Sequence, residues 1–141
     1  MSVEQNRGIV LGFFADLSAG RGKDALSALH DEATWHVAGK PGSPPLAGQY
    51  SKSDLPKLFA MVGAAMPDGI TMTITATTAE DDRVTVEASV HGISPAGRIY
   101  DNRICFVAEV RDGKIHALRE YYDTIHTNDV LFGNTYAPAT T

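Results

Sequence analysis

One change of hydrophobic period decides most of what this chain can fold into. Up to Gly69 the apolar residues recur at helical spacing, and from Ile70 to about residue 125 they alternate one by one with polar residues. A helix repeats its face every 3.6 residues and a strand every second residue, so the chain is helical first and sheet-forming afterwards. Ile9, Val10, Phe13, Phe14 and Leu17 make one wide apolar face over Val3 to Leu17, which ends at Ala19-Gly20. Asp24 to Leu29 predicts a short second helix, forming a hairpin with the first. Leu55, Leu58, Phe59, Val62 and Met66 predict a third, capped by Ser51 or Ser53, with Pro56 in its first turn and Pro67-Asp68-Gly69 as its stop. Between the second and third helices, Ala33 to Ala38 predicts a short strand, followed by a loop rich in Gly and Pro. The alternating part predicts strands over Ile70–Thr78, Arg83–Ile93, Arg98–Val110 and Lys114–Thr124, joined by Asp81-Asp82, by Ser94-Pro95-Ala96-Gly97 and by the hairpin Arg111-Asp112-Gly113. Helices followed by an antiparallel meander, with no strand–helix–strand alternation, specify an α+β fold. A sheet of this size covered by three helices on one face must curl, and the cone-shaped space beneath the helices is a natural ligand pocket.

The chain of 141 residues fits one domain, expected over 1–133 with a polar tail over 134–141. Twelve Lys and Arg against 17 Asp and Glu give a net charge of −5, and no basic cluster stands out. That balance argues against nucleic acid, whose non-specific recognition depends on clustered Lys and Arg. The single cysteine, Cys105, allows no intramolecular disulfide and no Cys-rich zinc site, which suits a reducing cytoplasm. The N-terminus carries Glu4 and lacks the basic lead and apolar core of a secretory signal, and no stretch reaches the ~20 apolar residues of a membrane helix. The spacings of phosphate loops, metal-binding His-x-x-x-His and nucleophile motifs are missing. Any partner is therefore expected to be a small molecule, a protein, or both; the cone-shaped pocket makes a small apolar or aromatic molecule the expected ligand, with no cofactor and no metal.

Five pieces of sequence, in order, carry a resemblance: Phe13 to Gly20, Asp31 to Gly39, Leu46 to Tyr50, Gly97 to Asn102, and Asp112 to Ile115 with Leu118 to Thr124. From about Arg7 to Phe132 the chain resembles the nuclear transport factor 2-like superfamily, and within it the SnoaL-like and ketosteroid isomerase-related proteins. The resemblance implies a cone-shaped α+β barrel, three N-terminal helices packed on a strongly curved, mostly antiparallel sheet. It also implies acid–base chemistry on a carbonyl compound, of cyclase or isomerase type. A non-catalytic binding or dimerising module is the alternative, because this fold hosts both.

Carried over residue by residue, the resemblance narrows the chemistry. The catalytic aspartate of ketosteroid isomerases falls on His36, their oxyanion tyrosine on Phe13, which has no proton to donate, and their oxyanion aspartate near Asn102. The Arg-x-Asp pair of limonene-epoxide-hydrolase-like enzymes falls on Glu87 and Ser89. Steroid isomerisation and epoxide hydrolysis both lose essential groups. SnoaL-like cyclases use one histidine or aspartate in an apolar cone, a role open here to His36, His91 and Glu120.

Strand parity then separates the candidates. His36 and Trp35 point to opposite faces: His36 is either the general base inside the cone or a rim histidine satisfied by water. Glu87, Ser89 and His91 share a face opposite Val84, Val86, Ala88 and Val90. In the register the resemblance implies, the polar row enters the cavity, and the apolar row, with Val107, forms a homodimer face; otherwise the polar row lies in solvent. Tyr100 and Asn102 orient a carbonyl or satisfy the backbone. Glu120 shares a face with Tyr122 and His116, and forms either an acid–base pair with a histidine or a salt link to Arg103 or Arg119. Phe13, Trp35 and Phe59 are expected as apolar walls, and Tyr50 as the closure of the mouth.

Overall fold

The computed structural model describes residues 2–136; the last five residues of the expected tail lie outside the described range. Helix α1 (Val3–Ser18) opens with a reciprocal cap, in which the Gln5 amide donates to Ser2 Oγ at 3.0 Å and the Ser2 amide donates to Gln5 Oε1 at 2.8 Å. Helix α2 (Gly22–Ser27) follows, two residues earlier than expected. Strand β1 (Leu29–Val37) leads through the Gly/Pro loop to a short strand β2 (Gly48–Ser51), a 3-10 turn (Lys52–Asp54) and helix α3 (Leu55–Ala65). The meander comprises β3 (Thr71–Glu80), β4 (Arg83–Ile93), β5 (Ile99–Arg111) and β6 (Lys114–Tyr122).

The chain then makes a turn of structure that the expected strand to Thr124 leaves no room for. Helix α4 (Thr124–Phe132) starts at Asp123, whose side chain accepts from the His126 amide at 3.0 Å, and ends at Gly133, left-handed at φ 69°. Asp before the first turn and Gly just after the last are the ordinary start and stop of a helix.

All six strands form one sheet in the order β2-β1-β6-β5-β4-β3, with β1 parallel to β6 and every other pair antiparallel. Irregular register in β1, at Thr75 in β3 and at His116 in β6 bends the strands. Helix α1 lies across the concave face, on β3, β4 and β6. Val10, Phe13 and Phe14 are buried there, and the Phe14 ring sits 4.6 Å from that of Phe106 on β5.

That packing reverses the faces expected for β4. Val84 and Val86 are fully buried, and Ala88 and Val90 nearly so, because the apolar side of α1 needs an apolar row beneath it. Glu87, Ser89 and His91 therefore stand on the outer, convex face. The apolar row assigned to a homodimer face is the interior of the single chain, and of that set only Val107, paired with Thr85 and Arg119, stands on the outer face. No helix among the described residues is long and apolar enough to cross a membrane.

Two glycines make opposite demands on stability. Gly92 is buried at the end of β4, where a β-carbon would sit 2.9 Å from the Gly69 carbonyl oxygen and 2.6 Å from Met66 Cε. Gly12 in α1 is exposed, and a β-carbon there meets nothing within 4 Å. In urea denaturation Gly92→Ala should lose about 1–3 kcal/mol through overpacking, whereas Gly12→Ala should gain up to about 1 kcal/mol from helix propensity.

Candidate active site

Between the wide end of the concave sheet face and helices α3 and α4 lies a cavity of about 480 Å³. Its walls come from residues of five strands and of both helices, Met72 of β3 among them. Trp35 enters from β1, Val90 from β4, Tyr100 and Ile104 from β5, and Glu120 and Tyr122 from β6. Leu58, Phe59 and Val62 close it from α3, with Met66 just past that helix's end, and Thr127 and Leu131 close it from α4. The residue opposite Glu120 on β5 is Phe106 and the one opposite Tyr122 is Ile104, so the carboxyl is set into an apolar strand face.

Among the described residues Glu120 is the one carboxyl on this lining, and Lys, Arg and His are missing from it. The Trp35 indole N–H donates to its Oε1 at 2.8 Å, while its second oxygen has no hydrogen-bond partner among the described residues. Burial disfavours the charged form and raises its pKa from the ordinary 4.5 to about 7, opposed in part by the Trp35 hydrogen bond, which favours the carboxylate. The nearby phenols follow the same physics. Burial, joined by the Glu120 charge, pushes Tyr122 well above the normal range and raises Tyr50. Tyr100 is raised by burial against the opposing hydrogen bonds of Thr127 and Asn102.

The hydroxyls are already engaged. Tyr122 donates to the Ala38 carbonyl at 2.7 Å. Thr127 Oγ1 donates to the Asp123 carbonyl at 3.0 Å, which leaves Tyr100 donating to Thr127 at 2.9 Å. Asn102 is not a substrate contact but the tie between β5 and α4: its amide donates to Thr127 Oγ1 at 2.9 Å and to the Asp123 carbonyl at 3.1 Å, and its carbonyl accepts from the Asp123 amide at 3.1 Å.

Of the expected residues, Glu120, Trp35, Phe59, Tyr100 and Tyr122 meet on the cavity. Phe13 is 1% exposed and packs behind Trp35, with rings 5.9 Å apart, as core rather than wall. Tyr50 neighbours the pocket and donates to the Leu46 carbonyl at 2.7 Å, bracing the loop rather than closing the mouth. The two histidines are corrected outright. His36 pairs with Gln49 and Arg119 on the outer face because Trp35 takes the inner one, and His91 is exposed between Thr71 and Asp101. Glu87 and Ser89 share that outer face, across from Cys105 and Arg103. Arg119 also points outward and binds Glu109 at 2.5 Å, so the partner of Glu120 is an indole and neither a histidine nor an arginine. Thr127 and Leu131 escape the sequence reading because α4 does. Asp123 and Gly133, ten positions apart around Val130 and Leu131, were the available signal. Among the described residues no group of three or more His, Cys, Asp or Glu gathers to hold a metal ion.

Comparison with known proteins places this geometry. The profile of the SnoaL-like domain matches residues 10–118. An NTF2-like protein from Burkholderia xenovorans LB400 is 26% identical, with 93% of this chain and 98% of that one covered at a TM-score of 0.75. Bal32a, from a soil-derived mobile gene cassette, is 21% identical over 92% of this chain and 98% of its own, at 0.81. TerC, crystallised with polyporic acid, is 20% identical over 90% and 98%, at 0.82. No curated protein matches the sequence.

The raised pKa has a consequence for stability. The folded chain holds the Glu120 proton from about pH 4.5 to 7, where an unfolded chain has released it. The stabilisation from this proton is complete below the unfolded value and is lost as pH rises through the folded one. Relative to wild type, Glu120→Gln should therefore gain stability between pH 4.5 and 8, by on the order of 3 kcal/mol for a shift of this size. Urea midpoints at half-unit pH steps measure the difference, and a gap that is flat across this range would refute it.

Proposed function

The chain belongs to the SnoaL-like domain family of the nuclear transport factor 2-like superfamily, and from that premise we propose that it acts by general acid–base catalysis on a small apolar carbonyl compound. The reaction is of isomerase or cyclase type, and Glu120 moves the proton. The observation that carries this reading is a lone carboxyl with a pKa of about 7, held by Trp35 on the wall of an otherwise apolar cavity. A base titrating near neutrality combines a useful ionised fraction with useful basicity.

The step runs as follows. Ionised Glu120 takes a hydrogen from the carbon beside the carbonyl; the C–H bond breaks, an O–H bond forms on the carboxyl, and the electron pair moves onto the carbonyl oxygen. Return of the proton to a different carbon completes an isomerisation. Attack of the enolate carbon on a second carbonyl of the same molecule closes a ring instead, and the proton passes to the new alkoxide. Trp35 keeps one carboxyl oxygen fixed and leaves the other for the substrate. The apolar walls exclude water that would otherwise re-protonate the intermediate at random.

A second reading, a binding module without turnover, is favoured by a specific feature. The Tyr122 and Tyr100 hydroxyls already donate within the chain, so in the free protein neither offers a hydrogen to a developing oxyanion.

Hydrogen exchange separates the two. In deuterated buffer, a panel of aryl and cyclic ketones is followed by NMR for loss of α-hydrogen signal. Wild type should accelerate exchange of at least one ketone, with a rate that rises with pH and levels above about 7, as a base of that pKa requires. Glu120→Gln should retain ketone binding and lose about 100-fold or more of the rate. Binding with no exchange across the panel would establish the binding module.

A further inference from the structure

One wall of the cavity holds more hydrogen-bond pairings than hydrogens. The Tyr100 and Thr127 hydroxyls meet where β5 faces α4, both residues line the cavity, and the Asn102 amide stands beside them. Asn102 Nδ2 lies 3.1 Å from Tyr100 Oη, 2.9 Å from Thr127 Oγ1 and 3.1 Å from the Asp123 carbonyl oxygen. Thr127 Oγ1 lies 2.9 Å from Tyr100 Oη and 3.0 Å from the same carbonyl. These five pairings share four hydrogens, two on the amide and one on each hydroxyl. One pairing is always empty, so the hydrogens have more than one arrangement over the same heavy atoms.

In the free chain Tyr100 donates to Thr127, and Thr127 to the Asp123 carbonyl. The geometry of the Tyr100–Thr127 pair serves either oxygen as donor. When Thr127 turns its hydrogen to Tyr100, the Asp123 carbonyl still accepts from Asn102 and from the Thr127 backbone amide at 3.2 Å, and Thr127 Oγ1 still accepts from Asn102. No acceptor loses its last donor, and such a loss is the main cost of rearranging a buried network. The Tyr100 hydrogen is then available to the cavity. The ring stays in place, since Tyr100 is 4% exposed and stacked on His126 with centroids 5.4 Å apart. Tyr122 has no second arrangement of this kind: the Ala38 carbonyl that takes its hydrogen accepts from no other donor among the described residues.

We infer that Tyr100 is the donor that meets the ligand's carbonyl oxygen, released by reversal of the Thr127 hydroxyl when the ligand binds. In the free chain its hydrogen is satisfied; in the complex it stands against the oxygen on which charge develops, where a held donor contributes most. Helix α4 takes part in the site, because the hydroxyl that reverses is its own. Only the effect on rate rests on the proposed acid–base reading; the hydrogen bond to the ligand does not.

Acetophenone labelled with carbon-13 at its carbonyl reads that bond, since the resonance moves downfield when the oxygen accepts a hydrogen. Trp35, the single tryptophan, lines the cavity and reads occupancy by its emission. Bound to wild type, the carbonyl should resonate downfield of its position in Tyr100→Phe. Thr127→Val should bind acetophenone about tenfold more tightly, because it leaves the Tyr100 hydrogen unpaired in the free chain and the ketone then pairs it. A merely structural Thr127 would weaken binding instead. Thr127→Ser should match wild type, and Tyr100→Phe should lose about 100-fold of the exchange rate. If Tyr100→Phe does not fold, the affinity of Thr127→Val carries the test. An identical carbonyl position in wild type and Tyr100→Phe, a displacement lost in Tyr122→Phe but kept in Tyr100→Phe, unchanged or weaker binding by Thr127→Val, or no ketone binding by wild type would each overturn the inference. Exchange lost in Glu120→Gln with the carbonyl unmoved by Tyr100→Phe would overturn it and leave the acid–base reading standing. A carbonyl moved by Tyr100→Phe with no exchange by wild type would uphold it and remove that reading.

Discussion

Everything distinctive about this molecule depends on keeping one carboxyl group where water cannot fully solvate it. Glu120 sits on β6, in the centre of the sheet, with Phe106 across from it on β5 and Val37 across from it on β1. Among the described residues its one hydrogen-bond partner is the Trp35 indole at 2.8 Å. A single neutral donor stabilises the charge less than solvent would, so the pKa rises to about 7. The same apolar walls that raise it also form the cavity, and the acid–base potential and the ligand site are thus one feature of the packing.

The sheet makes that arrangement possible through the parallel β1–β6 pair. It brings Trp35 beside Leu118 and Val37 beside Glu120, so that the indole reaches two residues along, on the same face, to the carboxyl. Helix α1 fills the other end of the concave face with Phe13 and Phe14. Helix α4 closes the remaining side, fixed to β5 through Asn102, Thr127 and the Asp123 backbone and by a paired Arg98–Asp129 contact at 2.7 Å on the surface. In the free chain the polar residues around the cavity are thus mostly structural, and Glu120 is the exception.

Much of this was legible in the sequence, and the failures have physical causes. The change of period at Gly69 located both halves of the fold, and parity correctly put Trp35 against His36 and Glu87 against Val86. Parity cannot say which face turns inward; that is decided by the apolar side of α1, which demands Val84, Val86 and Ala88 beneath it. Choosing the polar row of β4 for the cavity placed Glu87, Ser89 and His91 on the wrong side together, since a strand turned over exchanges all its side chains at once, and on β1 choosing His36 for the cavity put Trp35 on the wrong side in the same way. Glu120 was found because Leu118, Glu120 and Tyr122 share one parity at the end of β6, but its partner was not, because a Trp–Glu hydrogen bond between residues 85 positions apart leaves no local pattern. Helix α4 went unread although Asp123 and Gly133 mark its ends.

The most direct measurement of the central claim is the titration of Glu120 itself. With carbon-13 at the glutamate δ-carboxyl and Glu120→Gln to assign the resonance, NMR from pH 3 to 9 yields its pKa in the folded chain. A midpoint near 7 is the value this account requires, and substitution of Trp35 by Phe should move it higher still. A midpoint near the ordinary 4.5 would show a carboxylate solvated like any on the surface, and would contradict both the dry cavity and the proton transfer assigned to it.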